Sequence, residues 1–349
     1  MSAATSPLPD SERLGLLAAG NFIVDYVKII DYYPHEEMLA SILRQTPANG
    51  GGPYNILKDF AKLQNGLPLA AAGLIGNDAT GSWILDDLAA DQIDTSQLHR
   101  TNLASTSYTD AFTVESSGRR TFFHQRGANA LLSPEHFNFS STSARLFYLG
   151  YFMLLDRLDA IGPDGRSGAS HVLQAASDAG LITAADVVSC EHPDFARSAL
   201  SALPWVDHFI LNEIEAGKIT GANLRLPDGT IDWSAAESAT QSLLNAGVRR
   251  SVVIHFVEGA VCIAPDGSSH RAASLLLPDG WIKGATGAGD AFAAGWLLGL
   301  HENLPLPRCL DFAICAAAAC LADPTTSGGM RPLADCLALD SSFGRRPLP

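Results

Sequence analysis

Short, almost wholly apolar runs alternate along the chain with longer stretches in which apolar residues recur every three or four positions. LGLLAAG (14–20), LPLAAAGLIG (67–76), ARLFYLG (144–150), LITAADVVS (181–189), HFILN (208–212) and SVVIHFV (251–257) read as strands buried on both faces. NILKDFAKLQNG (55–66), SWILDDLAADQ (82–92), WSAAESATQSLLNAG (233–247) and DAFAAGWLLGL (290–300) carry helical spacing, the first closed by Gly66. The alanine-rich stretch from Phe312 is helical too. Strands alternating with helices predict an α/β fold, with a parallel sheet and crossover helices. One region breaks the rhythm. Residues 106–129 hold two alternating segments around Ser116-Ser117-Gly118, the chemistry of a hairpin. Such an insertion is expected to stand off the main layer as a cover. Pro-Asp-Gly turns begin at 163, 227, 265 and 278, and 161–170 is expected to be an exposed loop.

Composition narrows the class. The chain has 349 residues, 47% hydrophobic and 17% charged, as in a packed globular enzyme. A net charge of −14 argues against a nucleic-acid partner, which would need clustered Lys and Arg. The six cysteines, at 190, 262, 309, 315, 320 and 336, form no CxxC pair, so they read as small buried hydrophobes in a reducing compartment. The first residues, MSAATSPLPDSER, lack the basic start and apolar stretch of a signal peptide, and the apolar runs are too short to span a bilayer. A cytoplasmic protein without a membrane partner is expected. AGKIT (216–220) misses a Walker A motif, since Ile219 stands where a hydroxyl is needed. GxGxxG after the first strand, HExxH and GxSxG are absent.

The candidate chemistry lies in four stretches. GATGAGDAFAAG (284–295) crowds Gly284, Gly287 and Gly289 before Asp290 and an apolar run. It is either a loop with an acidic cap, or an anion site whose bare N–H groups sit at a helix start. GNFIVD (20–25) places Asp25 past the first strand, GGGPYN (50–55) leads to Asn55, and NEIE (212–215) follows a strand directly. Singly, each reads equally as caps and turn formers. Together they sit at predicted strand ends, and in parallel sheets those ends face one crevice where ligands bind.

On these motifs the sequence resembles the ribokinase-like, PfkB-type sugar kinases over roughly 14–340. GGGPYNILKDFAKLQNG is similar to the family's N-terminal signature and GAGDAFAAG (287–295) to its C-terminal one. IGNDATGSWILDDLAADQIDTS (75–96), GRRTFF with GANALL (118–132) and VDHFILNEIEA (206–216) fall between them in the family's order. The resemblance implies a ribokinase-like fold: one mostly parallel sheet flanked by helices, a small β lid from about 22–34 and 104–127, and flexible ends at 1–13 and 341–349. It implies transfer of the ATP γ-phosphate to a hydroxymethyl oxygen of a sugar or sugar derivative. Asp290 would be the base, and the N–H groups of Gly287, Ala288 and Gly289 an anion hole. Asp25, Gly51, Gly52, Asn55, Arg126 and Asn129 would contact substrate. Asn212, Glu215, Thr286 and Gly259 would serve the nucleotide, with Asn212 and Glu215 holding Mg²⁺ through water. Lid pairing would make a homodimer. Two alternatives share the fold: an adenosine-type nucleoside kinase, with Phe22, Tyr54 and Phe123 around the base, or a ligand-binding protein impaired in catalysis.

The chain departs from the family pattern at three places. Gly284 and Ala285 replace an acid and a hydroxyl residue, which argues against activation by K⁺; Lys283 is expected to supply part of the missing charge. VVIHFVEGA (252–260) lacks a Thr-x-Gly pattern, with His255, Phe256 and Val257 in its place, and Leu57 stands where a small residue is usual. His124 and Arg126 read either as solvated strand residues or as contacts to an acidic sugar.

Overall fold

The apolar run at 14–20 becomes an interior strand of the main sheet in a computed structural model that describes residues 12–349. The strands are β1 (Leu16–Gly20), β2 (Ile23–Ile30), β3 (Ile42–Gly50), β4 (Leu69–Gly76), β5 (Asp94–Thr101), β6 (Tyr108–Val114) and β7 (Arg120–Gln125). They continue as β8 (Leu146–Phe152), β9 (Ile182–Val187), β10 (His208–Asn212), β11 (Ser251–Phe256), β12 (Gly259–Ile263) and β13 (Ser269–Ala273). The helices are α1 (Gly52–Lys62), α2 (Ala79–Ala90), α3 (Asp156–Asp159), α4 (Gly168–Asp178) and α5 (Phe195–Ala202). After them come α6 (Glu213–Thr220), α7 (Trp233–Asn245), α8 (Ala288–His301), α9 (Leu306–Cys320) and α10 (Leu333–Phe343).

Nine strands form the main sheet in the order β13-β12-β11-β10-β9-β8-β1-β4-β5. From β11 to β5 every pairing is parallel, and β12 and β13 add an antiparallel edge. In β1, Leu16 and Ala18 pack with Ile56, Phe60 and Trp296 of α1 and α8. Leu17 and Ala19 face the other way, toward Val172, Leu173 and Leu243 of α4 and α7. Burial on both faces is why these strands read as unbroken apolar runs.

The expected hairpin is β6–β7, with Tyr108 opposite Gln125. It joins a second sheet, in the order β3-β2-β6-β7. Residues 22–34 and 104–127 supply β2, β6 and β7; β3 was not legible, because ILRQTPANG is polar and carries Pro47. Its place at the sheet edge explains both features, since an edge strand faces water and tolerates a missing N–H.

Boundaries differ in instructive ways. Helix α1 starts at Gly52, three residues before the periodic signal, with Pro53 in its first turn. Helix α2 starts at Ala79, where the Asp78 carboxylate accepts from the Gly81 amide at 2.8 Å. The loop expected at 161–170 ends early: Ser167 caps α4, and Ser167 and Ser170 are buried. The tail expected over 1–13 lies outside the described residues up to 11. Arg13, however, is 5% exposed and donates to the carbonyl oxygens of Thr142, Ala144 and Ala179. The tail expected at 341–349 is held at its start. Helix α10 runs to Phe343, and Arg345 pairs with Asp311 and Asp340 at 2.8 and 2.6 Å. Among the described residues no helix is long and apolar enough to cross a membrane. All six cysteines are free, and all but Cys190 are buried.

The strands around β1 close on each other at one end. Gly20 pairs with Gly150 of β8, and a Cβ on Gly20 would stand 1.8 Å from the Gly150 carbonyl oxygen at φ 126°. Gly20→Ala is expected to lower the unfolding free energy by more than about 2 kcal/mol. At Gly66, where φ is 71° and nothing lies within 4 Å of a new Cβ, alanine is expected to cost only about 1 kcal/mol. Denaturant titration of the two variants checks the contrast.

Candidate active site

β1 lies between β8 and β4, so the strand order reverses beside it. A crevice opens there at the strand C-terminal ends. Asp290, third residue of α8, lies in it and is 5% exposed. Its Oδ1 accepts from the Tyr151 hydroxyl at 2.5 Å, and its Oδ2 from Asn55 Nδ2 at 2.8 Å. Burial pushes the carboxyl up to about 6, against the pull of the Tyr151 and Asn55 hydrogen bonds.

The glycines before Asp290 have separate tasks. Gly287 caps α8 in the left-handed region at φ 83°, where a Cβ would stand 2.2 Å from the Thr326 carbonyl oxygen. Among the described residues the amides of Gly287, Gly289 and Asp290 donate to no protein acceptor. The Ala288 amide is partly engaged, reaching the Ala285 carbonyl at 3.4 Å. Three of the four amides at this helix start are therefore unspent. Thr286 Oγ1 accepts from Arg120 Nη1.

Asn55 was expected to touch substrate, but both ends of its amide are engaged. Nδ2 serves Asp290, and Oδ1 accepts from Asn49 Nδ2 at 2.8 Å. Asn49, on β3, also donates to Ser327 Oγ at 3.0 Å. Gly51 and Gly52 answer close approaches: a Cβ would stand 2.2 Å from the Asn21 carbonyl oxygen at Gly51, and 2.6 Å from the Tyr148 hydroxyl at Gly52. Asp25, on β2, is raised to about 7 by burial, against a Thr109 hydroxyl bond, with the Asp290 charge adding to the rise. Asp25 shares a small cleft with Thr286 and Arg120.

Asn129 is fully buried. Its Nδ2 donates to the Phe22 carbonyl at 3.2 Å, and its Oδ1 is buried without a partner. Arg126, expected to bind a carboxylate on the substrate, instead donates to the Met153 carbonyl at 2.8 Å and to Asp156 at 2.6 Å. That acid was invisible to local sequence reasoning, being 30 positions away. His124 Nδ1 lies 3.1 Å from Thr109 Oγ1. Burial and the nearby Arg126 hold the imidazole down at about 4, so it is neutral.

An acidic wall faces Asp290. Asn212 caps α6, accepting from the Ile214 and Glu215 amides, while Glu215 Oε2 accepts from the Asn212 amide at 2.8 Å. This reciprocal pair is a capping box, so the plain and the functional readings of NEIE both apply. Glu215 Oε1 accepts from Ser189 Oγ at 2.8 Å, and burial raises the carboxyl to about 7. Asp186, at the end of β9, is raised well above its usual range by burial and by Glu215, and its Oδ1 is buried without a partner. Two adjacent buried acids with an orphaned oxygen suit a hard divalent cation, so these residues fit Mg²⁺.

Two cavities share this region. The larger, of about 530 Å³, is the more polar of the two and is lined by Asp186, Glu215, Asp290, Tyr151, Thr286 and Arg120 among others. The other, of about 380 Å³, is mostly apolar and includes Gly259, Phe256, Leu275 and Phe292. They meet at Asn212, His255, Ala285 and Gly289. Burial holds His255 down at about 4, and its ring lies 4.8 Å from that of Phe292. Phe22 and Tyr54, expected around a base, are fully buried in the core, and Phe123 is 54% exposed. Sequence reasoning missed Tyr151, Asp186 and Arg120 as site residues. For Tyr151 and Asp186 the available signal was their position at or near predicted strand ends; Arg120 lies in the GRRTFF stretch already noted, without a role of its own.

Comparison with known proteins bears on the fold and the family. The profile of the pfkB family carbohydrate kinases matches residues 19–331. The 5-dehydro-2-deoxygluconokinase of Shouchella clausii is 24% identical over 340 residues, covering 95% of this chain and 96% of its own. A probable fructokinase of Arabidopsis thaliana is 26% identical, over 93% and 90%. The structure of Arabidopsis thaliana ribokinase complexed with ribose and ATP superposes with a TM-score of 0.75 at 21% identity, over 96% of this chain and 99% of that one. The chain belongs to the pfkB family of carbohydrate kinases.

Proposed function

We propose that this kinase moves the γ-phosphoryl group of ATP to a hydroxymethyl group of a sugar or sugar derivative, with Asp290 as the base. The observation that carries the reading is Asp290 itself: a buried carboxylate beside unspent helix amides, lining the larger cavity next to Gly289, where the apolar cavity meets it. The apolar cavity suits a purine, and the polar one suits phosphates and a polyol. Mg²⁺ at Asp186, Asn212 and Glu215 would neutralise phosphate charge. The Gly287 and Gly289 amides would then face charge on the transferring group while Asp290 takes the hydroxyl proton. Asp25 and the orphaned Asn129 Oδ1 would hold sugar hydroxyls. Of the three rings named for a nucleoside base, Phe22 and Tyr54 are fully buried and Phe123 is half-exposed, so they do not line one slot together. A homodimer through the small sheet has support in its exposed Ile42, Leu43 and Phe123, and sedimentation would read it.

ADP release from Mg·ATP across sugars, sugar acids and nucleosides tests the reaction. A sugar-dependent rate is expected, and Asp290→Asn is expected to lower it by at least about a hundredfold. A rate on nucleosides alone would replace the acceptor class. The base also predicts a pH profile. Activity is expected to fall below about pH 6, where Asp290 gains its proton. Tyr151 stabilises the charged form, so Tyr151→Phe is expected to shift this acid limb to higher pH. An unshifted limb would count against Asp290 as the titrating group.

A further inference from the structure

We propose that Asp59, on the buried face of α1, is a positioning residue for the base: through Ser327 and Asn49 it fixes the direction of the Asn55 amide, and so keeps an N–H on Asp290. The inference rests on the phosphoryl-transfer reading above. Asp59 lies one helical turn beyond Asn55, on the same face of α1. It is fully buried, and neither of its carboxyl oxygens meets a donor at normal hydrogen-bond geometry. An apolar side chain would fill the place without that polar cost, so packing alone does not account for an acid there.

The contacts around Asp59 lead to the base. Asn55 gives its Nδ2 to Asp290 and takes a hydrogen bond from Asn49 Nδ2 on its Oδ1. Asn49 Nδ2 spends its second hydrogen on Ser327 Oγ at 3.0 Å. The Ser327 hydroxyl hydrogen is left to point elsewhere, and the carboxyl it faces is that of Asp59. Lys62, one turn further along α1, donates to the Ser327 carbonyl at 2.6 Å, and Thr326 Oγ1 to the Asn49 carbonyl at 2.6 Å. Residues 326 and 327 are thereby tied to α1 and to the end of β3. The two ends of an amide are nearly equal in size, so packing does not choose between them. The order of donors does: Ser327 to Asp59, Asn49 to Ser327 and Asn55, and Asn55 to Asp290. Without an acceptor at 59, the Ser327 hydroxyl is free to donate to Asn49 instead. Asn49 then turns its oxygen toward Ser327, Asn55 turns with it, and an amide oxygen is set against the Asp290 carboxylate.

Charge supports the same assignment. The ionisable groups facing Asp59 are Asp290 on α8, Lys62 on its own helix, Cys320 on α9 and Cys336 on α10. Burial above all holds the proton on Asp59; the Ser327 hydrogen bond opposes this, the Asp290 charge favours it, and Lys62 opposes it. The one negative charge of this buried pair therefore rests on Asp290, where the reaction needs it. A neutral Asp59 still has a carbonyl oxygen with which to accept from Ser327. It takes no proton from substrate and acts only through Asn55.

The pH dependence of kcat in Asp59→Ala, Asp59→Asn, Ser327→Ala and the double variant Asp59→Ala/Ser327→Ala tests this. Asp59→Ala is expected to lower kcat about tenfold with little change in the KM for sugar, and to move the acid limb about one unit to higher pH, the worth of one hydrogen bond to a charged group. Asp59→Asn keeps an oxygen for Ser327 and is expected to restore most of kcat and the parent limb. Ser327→Ala is expected to shift the limb as Asp59→Ala does, and the double variant no further, because one path is broken twice. A limb in Asp59→Ala within about 0.2 unit of the parent, a double variant shifted by the sum of the singles, or an Asp59→Asn that shifts as alanine does would each overturn the proposal. A parent inactive on every acceptor would be a failure of the kinase reading instead. In that case the carboxyl-carbon NMR titration of Asp290 decides without turnover, with a rise of about one unit expected in Asp59→Ala and an unmoved titration overturning the role.

Discussion

The site depends on keeping one carboxylate dry without leaving it unpaired. Burial raises the proton affinity of Asp290, which makes it a better base, yet an isolated buried charge is strongly unfavourable. Tyr151 and Asn55 resolve the conflict by donating one hydrogen bond to each oxygen. Each donor is fixed in turn. The Tyr151 amide donates to Asn21 Oδ1 at 2.9 Å, and the Asn55 carbonyl accepts from Asn49, which fixes the direction of its amide. The carboxylate is thus positioned from three elements: β1's end, β8's end and the β3–α1 junction.

The same logic explains the glycines. At Gly20, Gly51 and Gly287 the backbone takes a positive φ, with the carbonyl of a distant segment where a side chain would stand. Each of these contacts brings a loop at the sheet end closer than any other residue allows. Acids gather on one wall, unspent amides and Arg120 on the other, so a metal-bound phosphate chain would bridge opposite charges.

The small sheet is part of this arrangement. It presents Asp25 from β2 and Arg120 from β7 to a cleft shared with Thr286, and Asn49 from β3 to Asn55, the donor to Asp290. Its outer strand is exposed because its work is done at one end, where Asn49 and Gly50 turn inward toward Asp290 and Asp25.

The sequence by itself determined the alternating α/β order, the doubly buried strands, the hairpin and the placing of Asp290 at a helix start. These rest on periodicity and local turn chemistry, which a one-dimensional pattern carries. It did not reveal β3, whose polar residues and Pro47 make sense only at a sheet edge. It could not show that Asn55 and Arg126 hydrogen-bond Asp290 and Asp156, which lie 235 and 30 positions away. It did not single out Tyr151, Asp186 or Arg120, since a lone polar residue near a strand end has no distinguishing pattern. Which side chains meet there was decided by the tertiary structure, because the parallel sheet brings the C-terminal ends of distant strands to one edge, and only that convergence determines which polar groups lose water together.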